Sequence, residues 1–255
     1  ADPNNKLLRV LRERAPGTFQ HTLGVQQLAH DATEAIGGNV LLAEAGAWYH
    51  DVGKIYKPEY FAENMGKDKS IHDRLRPSMS KLIIMSHVKE GILLASEEKL
   101  PQQIIDMIPM HHGTTVVEFF YHKARQEEGE EEENSTEDTE YRYPGPKPSF
   151  PEAGVLMLAD SVEAIAKSLP DPTPAKFREI ARDMIRKRIF DGQLDECQLT
   201  VADLYKIEES FEATLTNIYH GRVEYPELET GDKPEETGEP VPPPESDDEA
   251  KLEAT

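Results

Sequence analysis

The sequence has very little of several things that whole classes of protein require. It holds a single cysteine among 255 residues, which excludes an internal disulfide framework and a thiolate-rich structural zinc site. It has no apolar run of about 18 residues, so no segment of the sequence given is expected to cross a membrane. It has no secretory signal pattern either. Alternating Val/Ile-rich segments are also missing, and this argues against a β-sheet.

Basic residues are the other shortage. The chain has 28 Lys and Arg against 49 Asp and Glu, a net charge of −21. Two stretches carry most of this excess: residues 127–140 hold nine acidic residues and no base, and residues 226–255 carry a net −9. The remaining 211 residues carry only −3. We therefore predict an ordinary domain over 1–225 with an acidic loop at 127–140 and a disordered acidic tail at 226–255, and no nucleic-acid polymer as partner.

Helical periodicity dominates the rest of the chain, and the predicted fold class is all-α. Thr18 and Asn39 are candidate helix caps, and Ser149 with Glu152 is a candidate capping box. The predicted helices cover about 18–35, 40–51, 79–96, 101–113, 151 onward, 174–190 and 200–219. The second of these is apolar on nearly all sides, which is typical of a central helix.

These helices carry the residues that point to chemistry. Asp160 lies within the apolar run 155–162, where an ionised carboxylate must be paired or bound to a metal. The other candidates also lie on inward faces or at helix ends: His21, the pair His50-Asp51, His87, and the pair His111-His112. A lone inward histidine is more often a hydrogen-bonded core residue, so only the complete set indicates a site. The second His-Asp pair, His72-Asp73, lies in a proline-bounded loop and is expected to be structural or close to the substrate.

A two-metal hydrolytic site needs imidazoles and a carboxylate that bridges both ions. Asp51 would bridge both ions, and His50 would bind the first of them. The coordination of the first ion would be completed by His21 and Asp160. The second ion would be bound by His87 and His111, with His112 nearby. Imidazole and carboxylate ligands favour iron or manganese. Lys54, just after Gly53, would add positive charge near a phosphate, although a solvated surface lysine is an equally good interpretation from the residues alone.

Several local strings resemble one family, the cytoplasmic HD domain of bacterial seven-transmembrane HD receptors, within the HD metal-dependent phosphohydrolases. The strings are residues 15–21, 49–54, 60–64, 108–113, 143–146 and 157–160. The resemblance covers about residues 5–225. It implies an HD helical bundle with a di-iron or di-manganese centre that hydrolyses cyclic di-AMP to linear pApA. It also implies a parent protein with membrane helices before Ala1, and a location at the cytoplasmic face of the bacterial membrane.

The resulting hypothesis is a cyclic di-AMP phosphodiesterase in which two metals activate a water molecule. Asp51 and Lys54 are the expected catalytic residues, and Lys54, His112 and Tyr143 the expected substrate contacts. Alternatives are an HD phosphohydrolase acting on cyclic di-GMP, a dNTP or guanosine tetraphosphate, and a non-catalytic nucleotide sensor. Gly113-Thr114-Thr115 follows the histidine pair where the cyclic di-GMP branch has a Gly-Tyr-Pro signature, which argues against that branch.

Overall fold

The computed structural model describes residues 5–65, 70–128 and 137–220, and within these ranges the regular structure is helical. The α-helices are α1 (Lys6–Arg14), α2 (Pro16–Ile36), α3 (Val40–Tyr49), α4 (Pro77–Glu97), α5 (Gln102–Met110), α6 (Glu118–Glu128), α7 (Pro151–Ser168), α8 (Pro174–Phe190) and α9 (Val201–His220). Short 3₁₀ segments cover Val52–Tyr56, Pro58–Tyr60, Ala62–Asn64, Ile71–Arg74 and Asp138–Tyr141. The predicted all-α class is confirmed.

Local signals explain several of the helix ends. Proline occupies the first turn of α2, α4, α7 and α8, where its missing N–H costs nothing. Gly37 ends α2 in the left-handed conformation with φ 74°, which a glycine adopts without steric penalty. The Asn39 side chain accepts a hydrogen bond from the Leu42 backbone N–H and so caps α3, as the sequence predicts.

Two predicted caps are wrong, because their side chains have partners elsewhere in the fold. Helix α2 begins at Pro16, and the buried Thr18 hydroxyl donates to Glu63 at 2.9 Å. Helix α7 has no side-chain cap. The Glu152 carboxylate, expected to cap it, instead accepts the backbone N–H of Asn39 at 2.6 Å. This bond joins the start of α7 to the start of α3.

Helix α3 lies at the centre, as its apolar sequence predicts, and contacts α2, α5 and α7. Ala43 and Ala47 belong to a core shared with α2, α5, α7, α8 and α9. Trp48 and Tyr49 belong to a second core that also contains α1 and the segment Val52–Tyr56. The C-terminal end of α3 therefore lies between two cores, and the residues that follow it are buried.

The acidic segments fall only partly within the described residues. The predicted loop 127–140 begins inside α6, a helix that the sequence analysis did not predict, and ends inside the 3₁₀ segment Asp138–Tyr141. The intervening residues 129–136 and the predicted tail at 226–255 lie outside the described residues. The limits of the tail and its disorder therefore stay predictions. Among the helices of the described ranges, none is long and apolar enough to span a bilayer.

Candidate metal centre

All seven ligands predicted from the sequence lie in two adjacent groups of side chains. The first group is His21, His50, Asp51 and Asp160, and the second is His87, His111 and His112. Within each group one ligand atom from every residue lies within 4.8 Å of the others, a spacing at which a single ion could be shared. The residues come from α2, α4, α7 and the C-terminal ends of α3 and α5.

Asp51 lies between the two groups and presents one carboxylate oxygen to each. Its Oδ2 is 3.3 Å from His50 Nε2 and 3.9 Å from His21 Nε2. Its Oδ1 is 3.4 Å from His87 Nε2 and 3.8 Å from His111 Nε2. The side chain is only 2% exposed. This is the arrangement required of a carboxylate that bridges two metal ions.

Backbone hydrogen bonds fix the orientation of three of the imidazoles. In each case Nδ1 faces the carbonyl oxygen three residues earlier on the same helix and donates to it, which directs Nε2 at the centre of the site, with a free lone pair whenever the ring is neutral. The three bonds run from His50 to Ala47 at 2.7 Å, from His87 to Ile84 at 2.6 Å, and from His111 to Ile108. Bonds of this kind commonly hold metal-ligating histidines in the required tautomer.

The ring nitrogens that point into the site lack any hydrogen-bond partner among the described residues. Nε2 of His50, His87 and His111 and Oδ1 of Asp51 are all buried and unsatisfied. A buried polar atom without a partner costs free energy of about 1–3 kcal/mol, and four such atoms gathered in the two adjacent groups indicate that ligands belong there. Their lone pairs and the carboxylate charge suit a divalent cation, and the imidazole and oxygen donors match a transition metal.

His21 is held differently, by a residue that the sequence analysis missed. Its Nε2 is 2.9 Å from Asp160 Oδ1, and its Nδ1 is hydrogen-bonded to the Glu163 carboxylate. Glu163 lies one turn after Asp160 on α7 and is buried, so both carboxylates face His21 from one helix. A second acidic residue at i+3 from Asp160, within an apolar helix, is the signal that could have found it.

Lys54 lies beside Asp51 with a second carboxylate that the sequence analysis also left unassigned. Its Nζ is 2.7 Å from Asp51 Oδ2 and 2.8 Å from Glu63 Oε1. Burial lowers the pKa of a lysine, but these two negative charges outweigh it and raise the pKa of Lys54 well above its usual value. Lys54 is therefore a permanent cation at the wall of the site. Glu63 in turn accepts a hydrogen bond from the Thr18 hydroxyl, which satisfies this buried polar group.

The charges of the two groups differ without metal. Burial opposes charge on His21 and His50, but nearby carboxylates prevail and raise the pKa of His21 to about 9 and that of His50 to about 10. Burial, with His50 beside it, lowers the pKa of His111 to about 3, and burial likewise lowers the pKa values of His87 and His112. The two histidines of the first group are therefore protonated near neutral pH and its two carboxylates are ionised, whereas the three histidines of the second group are neutral.

Metal loading is expected to release protons, because only neutral imidazole binds a metal. Raised pKa values mean that protons occupy His21 and His50 below about pH 9. Metal affinity should therefore rise with pH up to that value, with about one to two protons released per loaded chain near neutrality. Calorimetric titration of manganese at pH 7.5, in two buffers of different ionisation enthalpy, measures this number.

The variant Glu163→Gln provides the internal comparison for this measurement. It removes one of the carboxylates that raise the pKa of His21, so fewer protons should be released on loading. A heat of binding independent of buffer, in the wild-type chain, would contradict the protonation state inferred here.

His112 and Tyr143, the other predicted substrate contacts, form a stacked pair. Their ring centroids are 4.1 Å apart with an interplanar angle of 18°. Tyr143 is buried and also lies edge-on to His87. Burial raises the pKa of its hydroxyl further above the usual value, so Tyr143 stays neutral at the edge of the second group.

A cavity of about 430 Å³ opens onto the first group, a size within the range of small-molecule sites. Its lining includes His21, Asp160, Lys54, His112 and Glu63. A molecule in this cavity would thus meet ligands from both groups and the Lys54 cation. Tyr143 is not part of this lining and reaches the cavity only through His112.

The second His-Asp pair does not join the site. His72 is buried, and its Nε2 donates to the Tyr60 carbonyl oxygen at 2.9 Å, while Asp73 is exposed. The contacts of His72 are therefore those of a structural residue, as one of the two predicted interpretations has it.

Comparison with known proteins places this geometry in a family. The model of the HD domain matches residues 18–165. Two cyclic-di-AMP phosphodiesterases named PgpH are similar over 227 residues, or 89% of this chain: that of Bacillus subtilis at 43% identity and that of Listeria monocytogenes at 42%. This chain spans 31% of the length of each.

Two crystal structures of the PgpH HD domain from L. monocytogenes are also similar, each at 41% identity and matched over its full length. One has a TM-score of 0.79 and covers 85% of this chain. The other, a complex with cyclic-di-AMP, has a TM-score of 0.80 and covers 86%.

Proposed function

This chain belongs to the HD-domain family, and we propose that it is a metal-dependent phosphodiesterase that opens cyclic di-AMP to linear pApA. The observation that carries the proposal is the Asp51 carboxylate, which faces one histidine group with each oxygen. The named relatives support the substrate, since both are cyclic-di-AMP phosphodiesterases and one crystal structure contains that molecule.

The proposed cofactor is a pair of divalent transition metals, iron or manganese. His21, His50 and Asp160 would hold one ion, His87, His111 and His112 the other, and Asp51 would bridge them. When bound, the pair would supply Lewis acidity, lowering the pKa of a water nucleophile and neutralising charge on the phosphate oxygens. The choice of metals follows from the mixed imidazole and carboxylate donors.

The chain's own residues would orient the substrate and balance its charge. Lys54 is a permanent cation between Asp51 and Glu63, so its ammonium would lie beside a phosphate held at the centre and stabilise the charge that develops during attack. His112 lines the cavity and Tyr143 stacks on it. Together they would form a flat aromatic wall against the bound nucleotide.

Product analysis tests this proposal directly. The manganese-loaded chain should convert cyclic di-AMP to pApA as the main early product, with slower or no conversion to AMP, because the linear product lacks the closed ring. Chromatography of matched reactions with cyclic di-GMP, a dNTP and guanosine tetraphosphate provides the comparison. Preference for one of these molecules would contradict the proposed substrate but not the proposed metal centre. Binding of cyclic di-AMP without turnover would favour the interpretation as a non-catalytic nucleotide sensor.

We further propose that the domain works at the cytoplasmic face of a membrane-embedded parent protein. The resemblance to seven-transmembrane HD receptors supports this context. Fractionation of cells that express the tagged full-length gene product tests it, since a membrane parent should sediment with the membranes and resist extraction by salt.

A further inference from the structure

One face of α7 continues from the metal centre along the wall of the cavity. Asp160, Ala164, Lys167 and Ser168 all line the 430 Å³ cavity. Their spacing of i, i+4, i+7 and i+8 is that of a single helical face. Ala164 has almost no side chain, so it leaves room between Asp160 and Lys167. The cavity therefore extends along α7 from Asp160 past Ala164 to Lys167. Glu163 also lines it, and its carboxylate is bonded to His21.

Lys167 differs from the other lysine of this cavity in its charge balance. Lys54 is shared by two carboxylates, whereas Lys167 forms no ion pair within the part of the chain that the structure describes. Lys167 also lies in the last turn of α7. The C-terminal end of a helix carries partial negative charge, so without this lysine that end of the cavity would repel an anion.

The proposed substrate has two phosphodiester groups on opposite sides of its ring, and only one can react at the metals at a time. We propose that Lys167 binds the second, non-reacting phosphodiester and so determines specificity for a cyclic dinucleotide; this inference rests on the proposed function. Seven residues of helix separate Asp160 and Lys167 by about 10 Å along the axis. A flexible ammonium group suits a singly charged phosphodiester, which needs a positive charge more than a fixed pair of donors.

Two substrates separate this role from a structural one. Cyclic di-AMP has both phosphodiesters, whereas bis(p-nitrophenyl) phosphate has one and tests the metal centre alone. In the manganese-loaded full chain, Lys167→Ala should raise KM for cyclic di-AMP about five- to twenty-fold, the effect of losing one partly solvated charged contact. Its kcat/KM for bis(p-nitrophenyl) phosphate should stay unchanged. Lys167→Arg should restore most of the affinity.

Lys206→Ala, which removes an exposed lysine on α9, is the matched control and should leave both substrates unaffected. Equal losses of Lys167→Ala on both substrates would overturn the inference in favour of a structural role at the helix end. An unchanged KM of Lys167→Ala for cyclic di-AMP would overturn the inference about Lys167 but not the proposed function. A wild-type chain that cleaves only bis(p-nitrophenyl) phosphate would overturn the proposed function and this inference together.

Discussion

Replacing Asp51 by alanine is expected to abolish metal binding at both histidine groups and to reduce phosphodiesterase turnover about a thousand-fold or more, on the order of 4 kcal/mol of transition-state stabilisation. The reason is geometric, because each group has an Asp51 oxygen within 3.4 Å of one of its imidazole nitrogens. Removal of a ligand that holds one ion would weaken the binding of that ion alone, whereas removal of a bridging ligand weakens the binding of both ions. Elemental analysis and turnover of the same preparation measure the two losses together.

The loss of the Asp51 charge needs a control separate from the loss of its side chain, since Asp51 also faces Lys54 and the protonated His50. Asp51→Asn keeps the shape of the side chain and removes its charge, so it should also lose both metals while its helical circular dichroism spectrum is retained. Asp73→Ala alters the other His-Asp pair, in which the aspartate is exposed, and should keep metal and activity. A folded Asp51→Asn chain with two tightly bound metals would contradict the bridging role.

The seven candidate ligands could be proposed from the sequence because each lies on an inward helical face, at a helix end or within an apolar run. His21 is on the buried face of α2, and the pairs His50-Asp51 and His111-His112 follow the last turns of apolar helices. Direction toward a core is a local property of the pattern, so it can be inferred without knowing the neighbouring helix. The central position of α3 was predictable for the same reason.

Glu163 and Glu63 were missed because their function depends on partners that are distant in sequence. Glu163 meets His21 across 142 positions, and Thr18 meets Glu63 across 45. The same distance effect explains the two wrong caps, since Thr18 and Glu152 have side chains suited to helix starts but bond to other segments. A polar side chain near a helix end can satisfy either its own backbone or a tertiary partner, and the sequence does not rank the two.

Gly53→Ala is expected to cause a large loss of stability and to weaken metal binding at the second histidine group. A methyl group on Gly53 would lie 1.8 Å from the His87 carbonyl oxygen and 2.5 Å from the Gly91 backbone nitrogen. Both atoms belong to the backbone of α4, so no side-chain rotation relieves the clash. Overpacking of this severity costs about 3 kcal/mol or more, which lowers the melting temperature by roughly 6–12 °C in a chain of this size.

The same displacement should reach the metal centre, because Gly53 follows Asp51 by two residues and its neighbour on α4 is the backbone of His87. Movement of α4 away from Gly53 increases the distance between Asp51 Oδ1 and His87 Nε2, now 3.4 Å. Gly53→Ala should therefore bind less metal even at temperatures where it is folded. Gly37→Ala is the control: Gly37 has φ 74° with open space around its Cβ position, so the variant has backbone strain of about 1 kcal/mol and no clash. Gly37→Ala should have a slightly lower melting temperature and full metal content. Equal metal content in the Gly37→Ala and Gly53→Ala variants would show that the contact between Gly53 and α4 does not position the second group.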